Sequence, residues 1–66
     1  MRSSETEELQ QRIYRVEQRI QELKAQGQDT YELENELTKI KKDVEIGLIE
    51  VAKIRLEELE KKLKNI

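Results

Sequence analysis

The chain has 66 residues, with 13 Lys or Arg, 15 Asp or Glu and a net charge of −2, and it contains no Cys and no His. This composition excludes disulfides and the ligand sets of the common zinc sites. A chain of this length forms at most one domain, which we place over 1–66, and so small a domain needs close helix packing or association to be stable.

Helices are predicted throughout the chain. Charged residues make up 42% of it and Pro is absent, which is typical of long helices when apolar residues recur at helical spacing. Ser4 and Glu7 have the spacing of a capping box, which predicts a helix that begins there. The apolar residues that follow are spaced by 4, 3, 4 and 3 and predict one buried stripe: Leu9, Ile13, Val16, Ile20 and Leu23.

A turn is predicted at residues 27–30. Gly27 can adopt the left-handed conformation that ends many helices, and Asp29 or Thr30 can cap the next helix. Stop and start signals this close together predict an antiparallel helical hairpin, with helices over about 4–26 and 30–65. The second helix repeats the 4, 3, 4 spacing with Leu33, Leu37, Ile40 and Val44.

Beyond Val44 the chain carries two apolar phases. One continues the stripe of the second helix through Gly47, Val51 and Ile54. The other has spacings of 3, 4, 3, 4 and 3 and consists of Ile49, Ala52, Leu56, Leu59, Leu63 and Ile66. Apolar residues on more than one face predict that this segment packs against more than one neighbour.

Two all-α architectures account for these phases. We favour a hairpin of coiled-coil type that assembles into a helical bundle, with a second helix continuous through Gly47 and a second chain covering its far end. A Gly inside a helix costs only about 1 kcal/mol, and no Ser, Thr, Asn or Pro marks a turn there. In the alternative the chain breaks at Gly47 and forms a monomeric three-helix bundle, with Ile46 and Val51 as a hydrophobic staple. If the main stripes are covered in that fold, Ile46, Val51 and Ile54 are left on an outer face, where they either bind a partner or complete the core.

No arrangement of residues indicates catalysis. The chain has no Gly-rich phosphate loop, and two short apolar stripes build no substrate pocket, so we predict neither enzymatic activity nor a cofactor. Four acidic residues follow the first turn: Asp29, Glu32, Glu34 and Glu36. A calcium site needs about six to eight oxygen ligands from a closed loop, so these acids are better explained as solvated charges at a helix start.

Basic residues suggest an alternative function, an accessory nucleic-acid-binding helical module. They form two clusters, Arg12, Arg15 and Arg19 and then Lys39, Lys41 and Lys42. Acidic residues dilute both clusters, and the lysine cluster has no aromatic residue beside it for base stacking. The pattern therefore argues against nucleic acid as the partner.

The apolar stripes favour a non-catalytic structural or protein–protein interaction module. It would self-associate, as a homo-oligomer (dimer), or dock on a partner helix, by burying apolar surface. The predicted interface consists of Leu48, Ile49, Val51, Ala52, Ile54, Leu56, Leu59 and Leu63. No apolar run approaches the roughly 20 residues of a membrane span, and the N-terminus lacks a signal-peptide core, so we expect no membrane contact and a cytoplasmic location.

Overall fold

A computed structural model describes residues 4–66 as three helices, α1 (Ser4–Ala25), α2 (Tyr31–Glu45) and α3 (Ile49–Lys64). The predicted all-α class is confirmed. The break at Gly47 that the alternative architecture required is present, and the favoured continuous helix over 30–65 is wrong. The coiled-coil character of the packing stays a prediction.

A Schellman motif ends α2 and explains the break. The amide of Gly47 donates to the carbonyl oxygen of Val44 (3.1 Å), and the amide of Leu48 donates to that of Asp43 (2.8 Å). Gly47 has a φ of 86°, the left-handed conformation that this motif requires and that glycine adopts without steric cost. One glycine therefore ends the helix, and a turn needs no Ser, Thr, Asn or Pro beside it.

The end of α1 is built in the same way. Gly27 has a φ of 87°, its amide donates to the carbonyl oxygen of Lys24 (3.0 Å), and the amide of Gln28 donates to that of Leu23 (3.0 Å). Both glycines thus satisfy carbonyl groups that a helix end leaves without partners. This confirms the turn predicted at residues 27–30.

The starts of α2 and α3 differ. The residue before α2 is Thr30, whose side chain makes no cap hydrogen bond, and the carboxylate of Asp29 accepts a hydrogen bond from the amide of Tyr31 (3.1 Å). The residue before α3 is Leu48, which offers no side-chain cap. The first helix is already formed at Ser4, where the described part of the chain begins.

All three helices contribute to one apolar core. The five predicted residues of α1 are buried, and in α2 Leu37 and Ile40 are buried while Leu33 and Val44 pack against them. From α3 the core receives Ala52, Leu56, Leu59 and Leu63, with Ile49 at its edge. Because α3 folds back on α1 and α2, the surface that a second chain was expected to cover is covered within the chain.

Two ion pairs join each pair of helices, and at every interface the two lie one heptad apart on both helices. Between α1 and α2 they are Glu17–Lys41 (2.6 Å) and Lys24–Glu34 (3.5 Å). Between α2 and α3 they are Asp43–Arg55 (3.1 Å) and Glu36–Lys62. Between α1 and α3 they are Glu5–Lys53 and Arg12–Glu60 (2.6 Å). Their order shows that α3 runs antiparallel to α2 and parallel to α1.

The core assignment predicts opposite outcomes for two alanine substitutions in α3. Leu59 is fully buried and Ile54 is 62% exposed. Leu59→Ala should lower the free energy of unfolding by about 2–5 kcal/mol because it leaves a cavity, whereas Ile54→Ala should change it by about 0.5 kcal/mol or less. Chemical denaturation followed by circular dichroism measures both, and equal losses would contradict this core.

The left-handed turn predicts a gain in stability for a D-residue. Gly47→D-Ala, made by chemical synthesis, should stabilise the chain by about 0.4–1 kcal/mol because a D-residue prefers positive φ and restricts the unfolded chain. Gly27→D-Ala is the matched control at the other turn. Thermal unfolding measures both variants. A stabilised Gly27 variant beside a destabilised Gly47 variant would mean that the helix runs through Gly47.

Candidate protein-binding surface

Four apolar side chains are exposed around the turn between α2 and α3. Ile46 and Leu48 flank Gly47 and are 57% and 47% exposed, whereas Val51 and Ile54 lie one helical turn apart on α3 and are 37% and 62% exposed. We call Ile46, Leu48, Val51 and Ile54 the turn patch. It lies at the end of the bundle where α2 gives way to α3.

The turn patch is exposed because of the face that α3 presents to the core. Ala52 and Leu56 are fully buried. Successive residues on a helix are about 100° apart, so Ile54, midway between these two, points to the opposite side. Val51 lies at the edge of the buried face, which agrees with its smaller exposure. Burial of the α3 core therefore leaves the second apolar phase in solvent.

The structure divides the eight predicted interface residues. Leu48, Val51 and Ile54 are on the surface, and Ile49 is half-buried. The other four are buried in the chain's own core: Ala52, Leu56, Leu59 and Leu63. An intermolecular role for these four assumed a long helix beyond the reach of α1, and the fold-back at Gly47 removes that assumption.

Ile46 is a surface residue that the predicted interface did not include. For a chain broken at Gly47 the sequence offered it two roles, a staple with Val51 or an outer face shared with Val51 and Ile54. It is 57% exposed, which agrees with the outer face. A residue at a helix end lies outside the periodic pattern that identifies buried faces.

The turn patch continues into a groove between α2 and α3. The groove has a volume of about 260 Å³ and is lined by Glu36, Lys39, Ile54, Arg55 and Glu58. Ile54 is its apolar residue, and charges of both signs surround it. An apolar centre with a polar rim is the usual composition of a protein interface.

A buried carboxylate fixes one wall of this groove. Asp43 is 7% exposed, and its Oδ2 atom lies 3.1 Å from Nη1 of Arg55 but has no hydrogen-bond partner in the described structure. Arg55 is itself half-exposed. A buried charge with a single partner is costly when that partner is lost. Arg55 is therefore held beside the groove by Asp43.

Hydrogen bonds to carboxylates raise the pKa of two cations at the α3 interfaces. Glu60 raises the pKa of Arg12, and Glu36 raises the pKa of Lys62. A cation whose pKa is raised on folding contributes stability below its unfolded pKa and loses it as the pH rises through the folded value. Both cations therefore stay charged at neutral pH, and their ion pairs weaken only in strongly alkaline solution.

The two basic clusters do not form a continuous surface. Arg12 pairs with Glu60, Arg19 with Glu22 and Lys41 with Glu17. Three cations of these two clusters have no ion pair within residues 4–66: Arg15, Lys39 and Lys42. Arg15 lines a groove beside α3 residues Leu63 and Lys64, whereas Lys39 lines the α2–α3 groove. Arg15 and Lys39 therefore lie on different faces of the bundle.

The acidic residues near the start of α2 have separate partners. Asp29 accepts from the amide of Tyr31, Glu34 accepts from the hydroxyl of Thr30 (3.0 Å), and Glu36 pairs with Lys62. Within residues 4–66, no group of three or more Asp, Glu, His or Cys side chains is placed to hold a metal ion.

No protein-family model, curated protein or solved structure matches the chain. In the described part of the chain, no helix combines the length and the apolar character needed to cross a membrane. The function is therefore inferred from the surface of the bundle.

Because Asp43 is buried, we expect the loss of its partner Arg55 to destabilise the bundle more than the loss of an unpaired surface arginine. Arg55→Met should lower the free energy of unfolding by about 1–3 kcal/mol because Asp43 is left buried without a counter-charge. The double variant Asp43→Leu with Arg55→Met should recover most of this loss. Urea denaturation at neutral pH measures both, and Arg15→Met is the control, expected within about 0.5 kcal/mol of wild type. A harmless Arg55→Met would show that Asp43 does not need this partner.

Proposed function

We propose that the chain is a non-catalytic interaction module that binds an amphipathic helix of a partner protein. The helix docks on the turn patch and along the adjoining α2–α3 groove. One observation carries the proposal: Ile46, Leu48, Val51 and Ile54 are exposed together at one end of the bundle while the core residues of all three helices are covered.

The geometry of the groove supports a helix as the ligand. Two antiparallel helices leave a groove along their common axis, and a third helix can lay its apolar stripe there. Ile54 supplies the apolar contact in this groove, and Val51 extends it toward the turn. The rim charges Glu36, Lys39 and Glu58 favour a partner helix that carries both signs of charge.

The size of the patch sets the expected affinity. Only parts of four apolar side chains are exposed, and each Å² buried contributes about 25 cal/mol before the cost of association is subtracted. The surplus is a few kcal/mol, which corresponds to dissociation constants of roughly micromolar to millimolar. The proposed complex is therefore transient, or strengthened by further contacts on the partner.

The non-catalytic part of the proposal rests on the form of the grooves. Those between the described helices lie along the surface and are open to solvent. Substrate sites are concave and enclose most of their ligand. A nucleic-acid-binding role is not proposed, because Arg12, Arg19 and Lys41 already pair with carboxylates of the same chain.

The proposal predicts that helices selected for binding depend on α3 surface residues. A display library of amphipathic helical peptides would be selected for binding to the wild-type chain, and the affinities of the selected peptides would be measured by fluorescence anisotropy. Ile54→Asp and Val51→Asp should each weaken binding by about tenfold or more, because a charge in an apolar contact is costly to desolvate. Tyr14→Asp is the matched control, since Tyr14 is 61% exposed on α1.

Circular dichroism shows whether the three variants keep the helical fold of the wild type. Selected helices that bind Ile54→Asp and Tyr14→Asp equally well would place the binding surface elsewhere. A selection that yields no helix binding at millimolar concentration would remove the proposal.

A further inference from the structure

The connection between α2 and α3 is short enough to become helical. Only Ile46–Leu48 separates the two helices. No atom lies within 4 Å of the position that a Cβ would take at Gly47. A side chain at this position would therefore meet no steric obstacle, and the left-handed φ of Gly47 is the local feature that separates the two helices.

Straightening this connection would extend the apolar stripe of α2. From Leu37 and Ile40 the spacing continues through Val44, Gly47, Val51 and Ile54 in steps of 4, 3, 4 and 3. In a continuous helix these last two residues lie on the same face as Val44, whereas in the three-helix fold they are exposed.

The other turn does not have this property. The stripe of α1, continued from Leu23 through Gly27, reaches Thr30 and Glu34, which are polar. Five residues, 26–30, separate α1 from α2, and the carboxylate of Asp29 accepts a hydrogen bond from the first amide of α2. A continuous helix through Gly27 would therefore gain no apolar face.

The contacts of α3 can be made by a second copy of the chain. Ion pairs hold α3 to α1 through Glu5–Lys53 and Arg12–Glu60, and to α2 through Asp43–Arg55 and Glu36–Lys62. If α3 leaves its own bundle and enters that of an identical chain, the same residues meet again. An exchange of this kind loses none of the core contacts or ion pairs of the closed chain.

We propose that two copies of the chain exchange α3, with residues 46–48 straightened so that one helix runs over 31–64 in each copy. The chain that receives α3 is a second copy of the same chain. It carries carboxylates at the positions that the cations of α3 require: Glu5 for Lys53, Glu36 for Lys62 and Asp43 for Arg55. The exchange does not rest on the helix-binding function, and it would change the shape of the turn patch because residues 46–48 are straightened.

Gly47→Ala tests the exchange, with Gly27→Ala as the matched control. Alanine is disfavoured at positive φ in the closed chain and favoured inside a continuous helix. Both effects occur in each of two chains, so the dimer dissociation constant should fall by on the order of a thousandfold. Light scattering across concentrations should give twice 7.9 kDa for Gly47→Ala, while Gly27→Ala stays monomeric.

A crosslinking measurement identifies the dimer as exchanged. A carbodiimide joins Lys to Glu directly, and isotope-labelled chains refolded with unlabelled ones distinguish crosslinks between chains from those within one. In the exchanged dimer the Lys62–Glu36 and Lys53–Glu5 crosslinks join two chains. The Lys41–Glu17 crosslink, between α1 and α2, stays within one chain and is the internal control.

The outcomes separate the two proposals. A folded Gly47→Ala chain that stays monomeric at millimolar concentration overturns the exchange, and so does a dimer whose Lys62–Glu36 crosslinks lie within single chains. If Gly47→Ala does not fold, the same crosslinking is done on the wild type refolded at millimolar concentration. Lys62–Glu36 crosslinks between chains then support the exchange, and a purely monomeric wild type overturns it. Failure of Ile54→Asp to weaken helix binding would concern the proposed function alone.

Discussion

The left-handed backbone at Gly47 is the constraint on which the rest of the bundle depends. Its Schellman hydrogen bonds satisfy the last carbonyl groups of α2 and turn the chain back on itself. The direction in which α3 then leaves decides its buried face, so Ala52 and Leu56 enter the core and Ile54 remains in solvent. The core and the turn patch are two results of one local conformation.

Apolar burial and interhelical charge have different roles in this small bundle. The core supplies most of the stability, since each buried Leu or Ile contributes about 1.5–3 kcal/mol, whereas an exposed ion pair contributes about 0–1 kcal/mol. The ion pairs recur at heptad spacing on every interface and so define which helix faces which. Asp43 differs because it is buried, and its pairing with Arg55 favours one placement of α3 against α2.

The two proposals involve the same turn of the chain. In the closed chain, Val51 and Ile54 are available to a partner helix together with the residues that flank Gly47. In the exchanged dimer residues 46–48 are straightened, so the turn patch no longer has the same shape. Partner binding and dimer formation would therefore oppose each other, and their balance would depend on the concentrations of the chain and of the partner.

By itself the sequence determined the all-α class, the turn at Gly27 and the buried face of α1, because hydrophobic periodicity and helix-ending signals act over a few residues. It also revealed the two apolar phases beyond Val44. It did not decide the conformation of Gly47, since glycine adopts positive φ about as readily as negative φ and costs a helix only about 1 kcal/mol relative to alanine. Only the tertiary structure decided it, because Leu56 and Leu59 are buried against α1, more than thirty residues earlier in the chain. That long-range contact also decided which predicted interface residues stayed on the surface.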